Sequence, residues 1–420
     1  MRRLAGDFAP WVLMAAVLLI APALFSGSFA LTILSKIGVF IIFAIAYNML
    51  LGQGGMLSFG HAVYFGMAGY FTVHFVNNMH DGDFYFPISL LPLFGGLVGL
   101  FFGVLIGYVS TRRAGTTFAM ISLGFGEMFT ALTLVLVAFF NGEEGIQTDR
   151  WVGPEPFGIT FGPAVQVYYL IAIWCLIATV AMYWLTRTPF GRVLNAVRDN
   201  PERAEFVGYN TQRVRWLAFS LSSFFAGLAG ALHALNFEHI GFETVSAATS
   251  GLVLFMVYIG GVRNYYGPII GAVLISYLEG VLSELTAAWP LYFGIVFIVV
   301  VMFAPGGLAG LISMHGPIAR FCPERLGHLL MPYIQAFGAT IVACIGAIGL
   351  MEMVFFLSEH RGNDTVMRLY WSNVDAHAVL PWVVFGGLCA AGIYLCRRTY
   401  PTAADAYSLS MVKVRERMLA

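Results

Sequence analysis

Residues 187–215 read RTPFGRVLNAVRDNPERAEFVGYNTQRVR. This stretch holds six arginines, Arg187, Arg192, Arg198, Arg203, Arg213 and Arg215, within a chain that is otherwise almost all apolar. Thr188 before Pro189 predicts an N-cap with proline at the first helical position, where a missing N–H costs nothing. Asn200 before Pro201 repeats that signal, and Gly208 stands where a second helix would end. Two short helices, at 189–199 and 201–207, are therefore expected between two long apolar runs. The island is too short for a domain and too ordered for a tail.

Working outward, 59% of the 420 residues are hydrophobic and 10% charged, against about 25% charged in an average soluble domain. No water-soluble core absorbs that much apolar sequence. The chain reads as an all-α polytopic membrane protein. A formal net charge of zero gives no pull toward nucleic acid. The two lysines, Lys36 and Lys413, do not follow a glycine, so the chain has no Walker A loop. If ATP drives this protein, another chain must bind the ATP and its Mg; no cofactor is expected on this one. Cys175, Cys322, Cys344, Cys389 and Cys396 form no CxxC and mostly sit in apolar sequence, which reads as buried thiols rather than a disulfide or metal framework.

Runs long enough to cross about 30 Å of hydrocarbon lie near 11–25, 31–50, 59–76, 88–110, 116–140, 166–186, 216–236, 245–262, 268–286, 290–304, 330–357 and 379–396. The start, Met1-Arg2-Arg3 and an apolar run to Phe25, has the outline of a secretory signal cleaved near Ala21-Pro22-Ala23. A second run follows almost at once, and that favours a retained first helix in a hairpin. Placing the N-terminus in the cytoplasm puts 18 of the 22 basic residues inside. Only Arg150, Arg361 and Arg368 then fall outside, with Lys36 near the outer end of the second span. Such a bias supports twelve crossings with both termini cytoplasmic. The outer loops are acidic instead, through Asp81, Asp83, Glu143, Glu144, Glu238 and Glu243. Gly95, Gly99, Gly103 and Gly107 line one helix face and predict close approach of another backbone.

Residues 48–70, Asn-Met-Leu-Leu-Gly-Gln-Gly-Gly-Met-Leu-Ser-Phe-Gly-His-Ala-Val-Tyr-Phe-Gly-Met-Ala-Gly-Tyr, closely resemble a motif of the permease family of branched-chain amino-acid ABC importers, in its M-type membrane subunit. Further stretches agree: Ser122-Leu123 with Glu127; Asn141 to Gln147; Pro189-Phe-Gly-Arg through Asn200-Pro201 to Gly208; Gly260-Gly261 with Gly267-Pro268 and Gly271; and Pro305-Gly306-Gly307. The resemblance covers residues 36 to 311, about two thirds of the chain. Arg263, Glu205 and the order Ala68-Gly69-Tyr70 depart from the family pattern. It implies a ten-helix permease domain over 1–311 with coupling helices at 188–208. Residues 312–420 stand as an extension with two further spans and a basic tail, Lys413 to Arg417, suited to an anionic membrane surface.

The resemblance further implies a bacterial inner-membrane subunit working with a second related permease, two cytoplasmic ATPase subunits and an extracytoplasmic substrate-binding protein. The helices of the island would dock into an ATPase cleft. Arg192, Arg198, Asn200, Glu202 and Arg203 would fix register, and Phe190, Val193, Leu194 and Phe206 would supply apolar anchors. Candidates for the translocation path are Asn48, Gln53, Ser58, His61, Glu127, Ser220, Ser222 and Ser223. Glu127 reads two ways, as a group lining a wet cavity or contacting a substrate amino group, and as a structural hydrogen-bonding residue. His61 follows a glycine-broken stretch; unwound backbone there could face a cavity, but a satisfied structural histidine is the weightier reading. Glu279 and Glu284 lie toward the outer half of their span, where they can snorkel. Two rival readings remain: an ion-coupled secondary transporter working through Glu127 without an ATPase, and a membrane-embedded enzyme or scaffold, which would need a His, Asp or Cys constellation at one depth.

Overall fold

The computed structural model describes residues 2–25, 27–82, 85–151, 160–304, 306–359, 366–370 and 372–419. Asp83, Pro305 and Arg361, used in the sequence reading, lie outside the described residues, as do the side chains of Arg2, Arg3 and Asp81. The helices are α1 (Arg2–Leu24), α2 (Ser28–Asn48), α3 (Ala62–Asp81), α4 (Leu91–Ser110), α5 (Thr116–Val135), α6 (Val137–Phe140), α7 (Ala164–Arg187), α8 (Pro189–Asp199), α9 (Pro201–Phe206), α10 (Thr211–Phe237), α11 (Ala247–Gly260), α12 (Gly267–Leu285), α13 (Trp289–Phe303), α14 (Gly307–Met314), α15 (Gly316–Phe321), α16 (Arg325–Glu359) and α17 (Val379–Leu419). Two short antiparallel ladders complete the described elements: β1 (Ile146–Gln147) with β2 (His239–Ile240), and β3 (Val366–Leu369) with β4 (Ser372–Asp375).

A helix occupies each of the twelve apolar runs. Among the described residues, eight helices are long and apolar enough to cross a membrane, or nine if the bent pair 289–303 and 307–321 is one span. The others fall short for local reasons. The apolar parts of α1 and α11 are only Ala9–Leu24 and Ala247–Gly260. In α3 the second half carries His74, Asn77, Asn78 and His80. The run read as 116–140 does count among the eight, as α5 alone, since it breaks at Leu136 before α6 begins.

The chain divides into two compact units: Met1–Leu285 with Tyr292–Gly310, and Thr286–Leu291 with Leu311–Ala420. In the first, α2 and α10 are the buried centre. α2 packs on α7, α10, α11 and α12, while α10 packs on α3 and α4. The composition of α10 explains its place, because Ser222, Ser223, Ala226, Gly227, Ala229, Gly230 and Ala231 leave room for neighbouring backbones. The α4 glycine stripe meets this surface. A Cβ on Gly99 would stand 2.8 Å from the Gly227 Cα, and one on Gly95 2.9 Å from the Gly227 carbonyl oxygen. The close approach expected of that stripe is what the structure contains.

Between α2 and α3 the chain leaves regular helix. Met49–Gln53 form a π turn, and residues 54–61 are largely irregular. Backbone groups freed inside a bundle need partners, and neighbouring serines supply them. The Ser122 hydroxyl accepts from the Phe59 N–H at 3.0 Å, and Ser250 accepts from the Ala62 N–H at 3.0 Å. Tyr47 donates its hydroxyl to the Ser58 carbonyl at 2.7 Å.

In the second unit α16 and α17 pair along their length. Gly346 and Gly392 sit at this contact, a Cβ on either meeting the facing helix's backbone. α17 runs well past the expected span, to Leu419. The amphipathic stretch from Ile318 becomes α15 and the first turns of α16, where Ile318, Cys322 and Leu329 bury against Val414 of α17. Part of the basic tail is thus tied down, since Arg417 pairs with Glu324 at 3.2 Å and donates to the Phe321 carbonyl at 2.7 Å. The cysteines are all free thiols, but only Cys175 and Cys322 are buried. Cys344 is exposed on α16, and Cys389 and Cys396 are half-buried, which corrects the expectation of buried thiols.

Candidate functional site

The island folds as two capped helices. The Thr188 hydroxyl accepts from the Gly191 N–H at 3.4 Å with Pro189 at the first turn of α8. The Asn200 side chain accepts from the Arg203 N–H at 2.9 Å with Pro201 at the first turn of α9. Gly208 takes a left-handed φ of +98°, and the Asn210 side chain then caps α10 through the Arg213 N–H at 2.9 Å. A third cap that the sequence reading passed over therefore launches the long helix directly out of the island. Below it, the Arg187 guanidinium lies 4.5 Å from the centre of the Tyr183 ring. Tyr183 in turn packs edge-on at 5.2 Å to Tyr265. Burial raises the Tyr265 phenol well above its ordinary range, so it stays a neutral donor to the Thr179 carbonyl.

The expected docking residues divide into two sets. Leu194 is only 1% exposed, and with Phe190 it packs against Met49, Gln53 and Leu185. Val193 is half-buried. Arg198 turns back on its own subunit, donating to the Gly52 carbonyl of the π turn while pairing with Asp199 at 2.8 Å. Gly55, with φ +66°, leaves space for it, because a Cβ there would sit 2.7 Å from the Arg198 Cγ. These residues fasten the island to the bundle. Arg192, Asn200, Glu202, Arg203 and Phe206 instead face outward, and Phe206 is 91% exposed. Beside it stand exposed Val207 and Tyr209, which the sequence reading missed. The signal for them was present, since apolar residues next to a helix-ending glycine in a polar stretch have no core to join.

The polar path residues are mostly closed inside the bundle. Asn48, Ser58, His61, Ser220, Ser222 and Ser223 are all buried. Ser222 donates to the Ala46 carbonyl at 2.6 Å, so its oxygen accepts from His61 Nε2 at 2.9 Å. Ser220 and Ser223 bond back to the carbonyls of Trp216 and Phe219. This geometry favours the structural reading of His61, stacked on Phe43 and edge-on to Tyr47. Gln53 is half-buried at the foot of the island. Glu127 behaves differently: its carboxylate lies on the exposed face of α5, beside Met120, Leu123 and Met128.

At the end of the bundle opposite the island a cavity of about 470 Å³ opens between α2, α3, α10, α12 and the turn after β2. Lys36 on α2 and Glu279 on α12 meet in its wall at 3.0 Å. Neither was singled out from sequence as a functional residue, because their pairing is a product of helix packing. Two opposite charges at matching depths of two spans were the available clue. His233 of α10, with Phe40, Phe65 and Phe237, completes the inner lining. Over this end Arg150 ties the β1–β2 ladder to α10, pairing with Glu238 at 3.5 Å and donating to the carbonyls of Phe161, Gly162 and Leu235.

Comparison with known proteins agrees with this arrangement. Residues 29–305 match the family model described as branched-chain amino acid transport system / permease component. The high-affinity branched-chain amino acid transport system permease protein LivM of Salmonella typhimurium is 26% identical over 291 residues, covering 64% of this chain and 67% of its own length. The Escherichia coli K12 protein of that name matches to the same extent. The galactose/methyl galactoside import permease protein MglC of Salmonella typhimurium is 25% identical over 290 residues, covering 64% of this chain and 82% of its own. No solved structure matches the chain. The matched segment contains the broken α2–α3 connection, the capped island and the cavity, and it makes this chain a member of the branched-chain amino acid transport system permease family, a multi-pass membrane transport subunit.

Proposed function

We propose that this ABC importer permease forms half of a translocation pathway for branched-chain amino acids or similar small organic solutes, powered by hydrolysis on separate subunits. It would lie in the inner membrane with both termini and the island in the cytoplasm. Its partners would be a second related permease, two ATPase subunits that bind ATP and Mg, and an extracytoplasmic binding protein. The observation that carries this reading is Phe206, a fully presented phenyl ring at the tip of a capped helix pair, with exposed Glu202 and Arg203 on its own helix and exposed Arg192 on the other. An isolated subunit gains nothing by holding such a ring in water, whereas a cleft on a partner gains a buried aromatic anchor. Anchoring from beneath by Leu194 and by the Arg198 contact gives the pair the stiffness to transmit a push.

Affinity purification of the full chain from its native membrane tests the assignment. Recovery of two ATPase chains and a second permease, with hydrolysis stimulated by substrate-loaded binding protein, is the expected result. Uptake by the lone chain in liposomes without ATP would refute it.

A further inference from the structure

Resting on the importer reading, we propose that the cavity opposite the island is a binding chamber for a small zwitterionic solute with an apolar side chain, and that the Lys36–Glu279 pair orients it by its two charges.

Its size comes first. A volume of about 470 Å³ falls inside the roughly 300–1,000 Å³ typical of small-molecule sites. The chemistry of its wall is more telling. Lys36 and Glu279 both lie within long apolar helices, where ionised side chains are costly and mark function. They pair only through Glu279 Oε1, and the side chains keep 21% and 16% exposure. Glu279 Oε2 is buried with no hydrogen-bond partner, and His233 Nδ1 is in the same condition. An ion pair serving only to hold α2 on α12 would satisfy its second carboxylate oxygen, because leaving it bare costs about 1–3 kcal/mol or more. An incoming ammonium group satisfies that oxygen. Lys36, with three donors of which Glu279 takes one, offers the others to a carboxylate.

Charge balance narrows the solute further. Glu143 and Glu243 stand exposed at the mouth, so a purely anionic solute is repelled there. A purely cationic one meets Lys36 inside. A molecule carrying both charges finds a partner for each, and Phe40, Phe65 and Phe237 receive its hydrocarbon part. The depth of the chamber suits a stop on a pathway: it reaches Phe65, in the first turn of α3, where the chain has just left its irregular crossing.

The test uses the assembled importer in proteoliposomes, with radiolabelled L-leucine as probe and its singly charged analogues, isocaproate and isopentylamine, as competitors. In the swap K36E/E279K the pair survives with its polarity reversed. It should keep the wild-type melting temperature, yet lose about tenfold or more in leucine kcat/KM, the scale of one charge-assisted hydrogen bond. Neither analogue should compete. The rim substitution Glu243→Gln, on an exposed side chain, should raise KM at unchanged kcat, and it decides the matter if the swap fails to assemble. Wild-type transport by the swap, or an unchanged KM in E243Q, overturns the chamber. Leucine-independent ATP hydrolysis by an intact wild-type complex, without leucine uptake, overturns the zwitterion assignment alone. Failure of any ATPase to join the complex removes the importer reading, and this inference falls with it.

Discussion

Truncating Phe206 to alanine should weaken the ATPase contact while leaving the subunit's own stability untouched. The ring is 91% exposed, so its removal deletes almost no contact within the chain, and surface changes of that kind stay within about 0.5 kcal/mol. A phenylalanine seated in a partner buries roughly 150–250 Å². At about 25 cal/mol per Å² this is about 4–6 kcal/mol of transfer free energy. Ordering and desolvation consume part of it, and buried aromatic anchors commonly retain about 2 kcal/mol or more. ATPase association should therefore weaken about 30-fold. The matched control is Leu194→Ala, at a side chain only 1% exposed in the same pair of helices. There a core cavity of the usual kind costs about 2–5 kcal/mol of local stability. Thermal unfolding of the purified subunit and titration of ATPase onto it in nanodiscs separate the two effects. A Phe206→Ala subunit that binds ATPase as tightly as wild type would refute the idea that this ring is the anchor. So would one that melts as early as Leu194→Ala, because the ring would then have a place inside its own fold.

Three further outcomes follow from the geometry. Gly99→Ala should lower the melting temperature, since its Cβ meets the Gly227 backbone across α4 and α10 and overpacking costs about 1–3 kcal/mol; Gly124→Ala, with nothing within 4 Å of its Cβ, should not. Arg150→Gln should speed hydrogen exchange over 146–150 and 238–240, because that guanidinium ties the Phe161 and Gly162 carbonyls to Glu238; unchanged protection would show that the ladder holds itself. Glu127→Gln should leave ATP-driven uptake and its pH profile intact in the full complex, whereas an ion-coupled carrier working through this carboxylate would stop.

Local signals in the sequence were read correctly where the physics is local. Thr188 and Asn200 cap because their side chains reach an N–H three residues on, and Gly208 adopts positive φ, all decided within one turn of chain. Each apolar run became a helix, and the four-residue spacing of Gly95, Gly99 and Gly103 specified a backbone contact without naming the partner. Facing could not be read. Phe190 and Phe206 look alike as phenylalanines in short amphipathic helices, yet one is tucked against the bundle and the other presented. The difference lies in where α7 and the π turn end, which is tertiary. The Lys36–Glu279 pair was hidden for the same reason, being set by how α12 lies on α2. His61 and the α10 serines looked like pore groups by polarity, but within a bundle polarity also serves to tie helices together.

α10 starts at Thr211, just past the exposed ring of the island, and ends against the charged chamber, a run of 27 residues and thus roughly 40 Å. It is a connecting rod. Along Ser223, Gly227 and Ala231 its flank presses on bare α4 backbone, while Trp216, Phe219 and Phe224 fill the space over Gly107 and Gly96, so the contact has little slack to absorb a shove. Under the importer reading, movement arriving at one tip would be delivered at the other without any relay of switching residues between. Signal and cargo would share one mechanical part, and the smallest side chains in the protein keep it stiff.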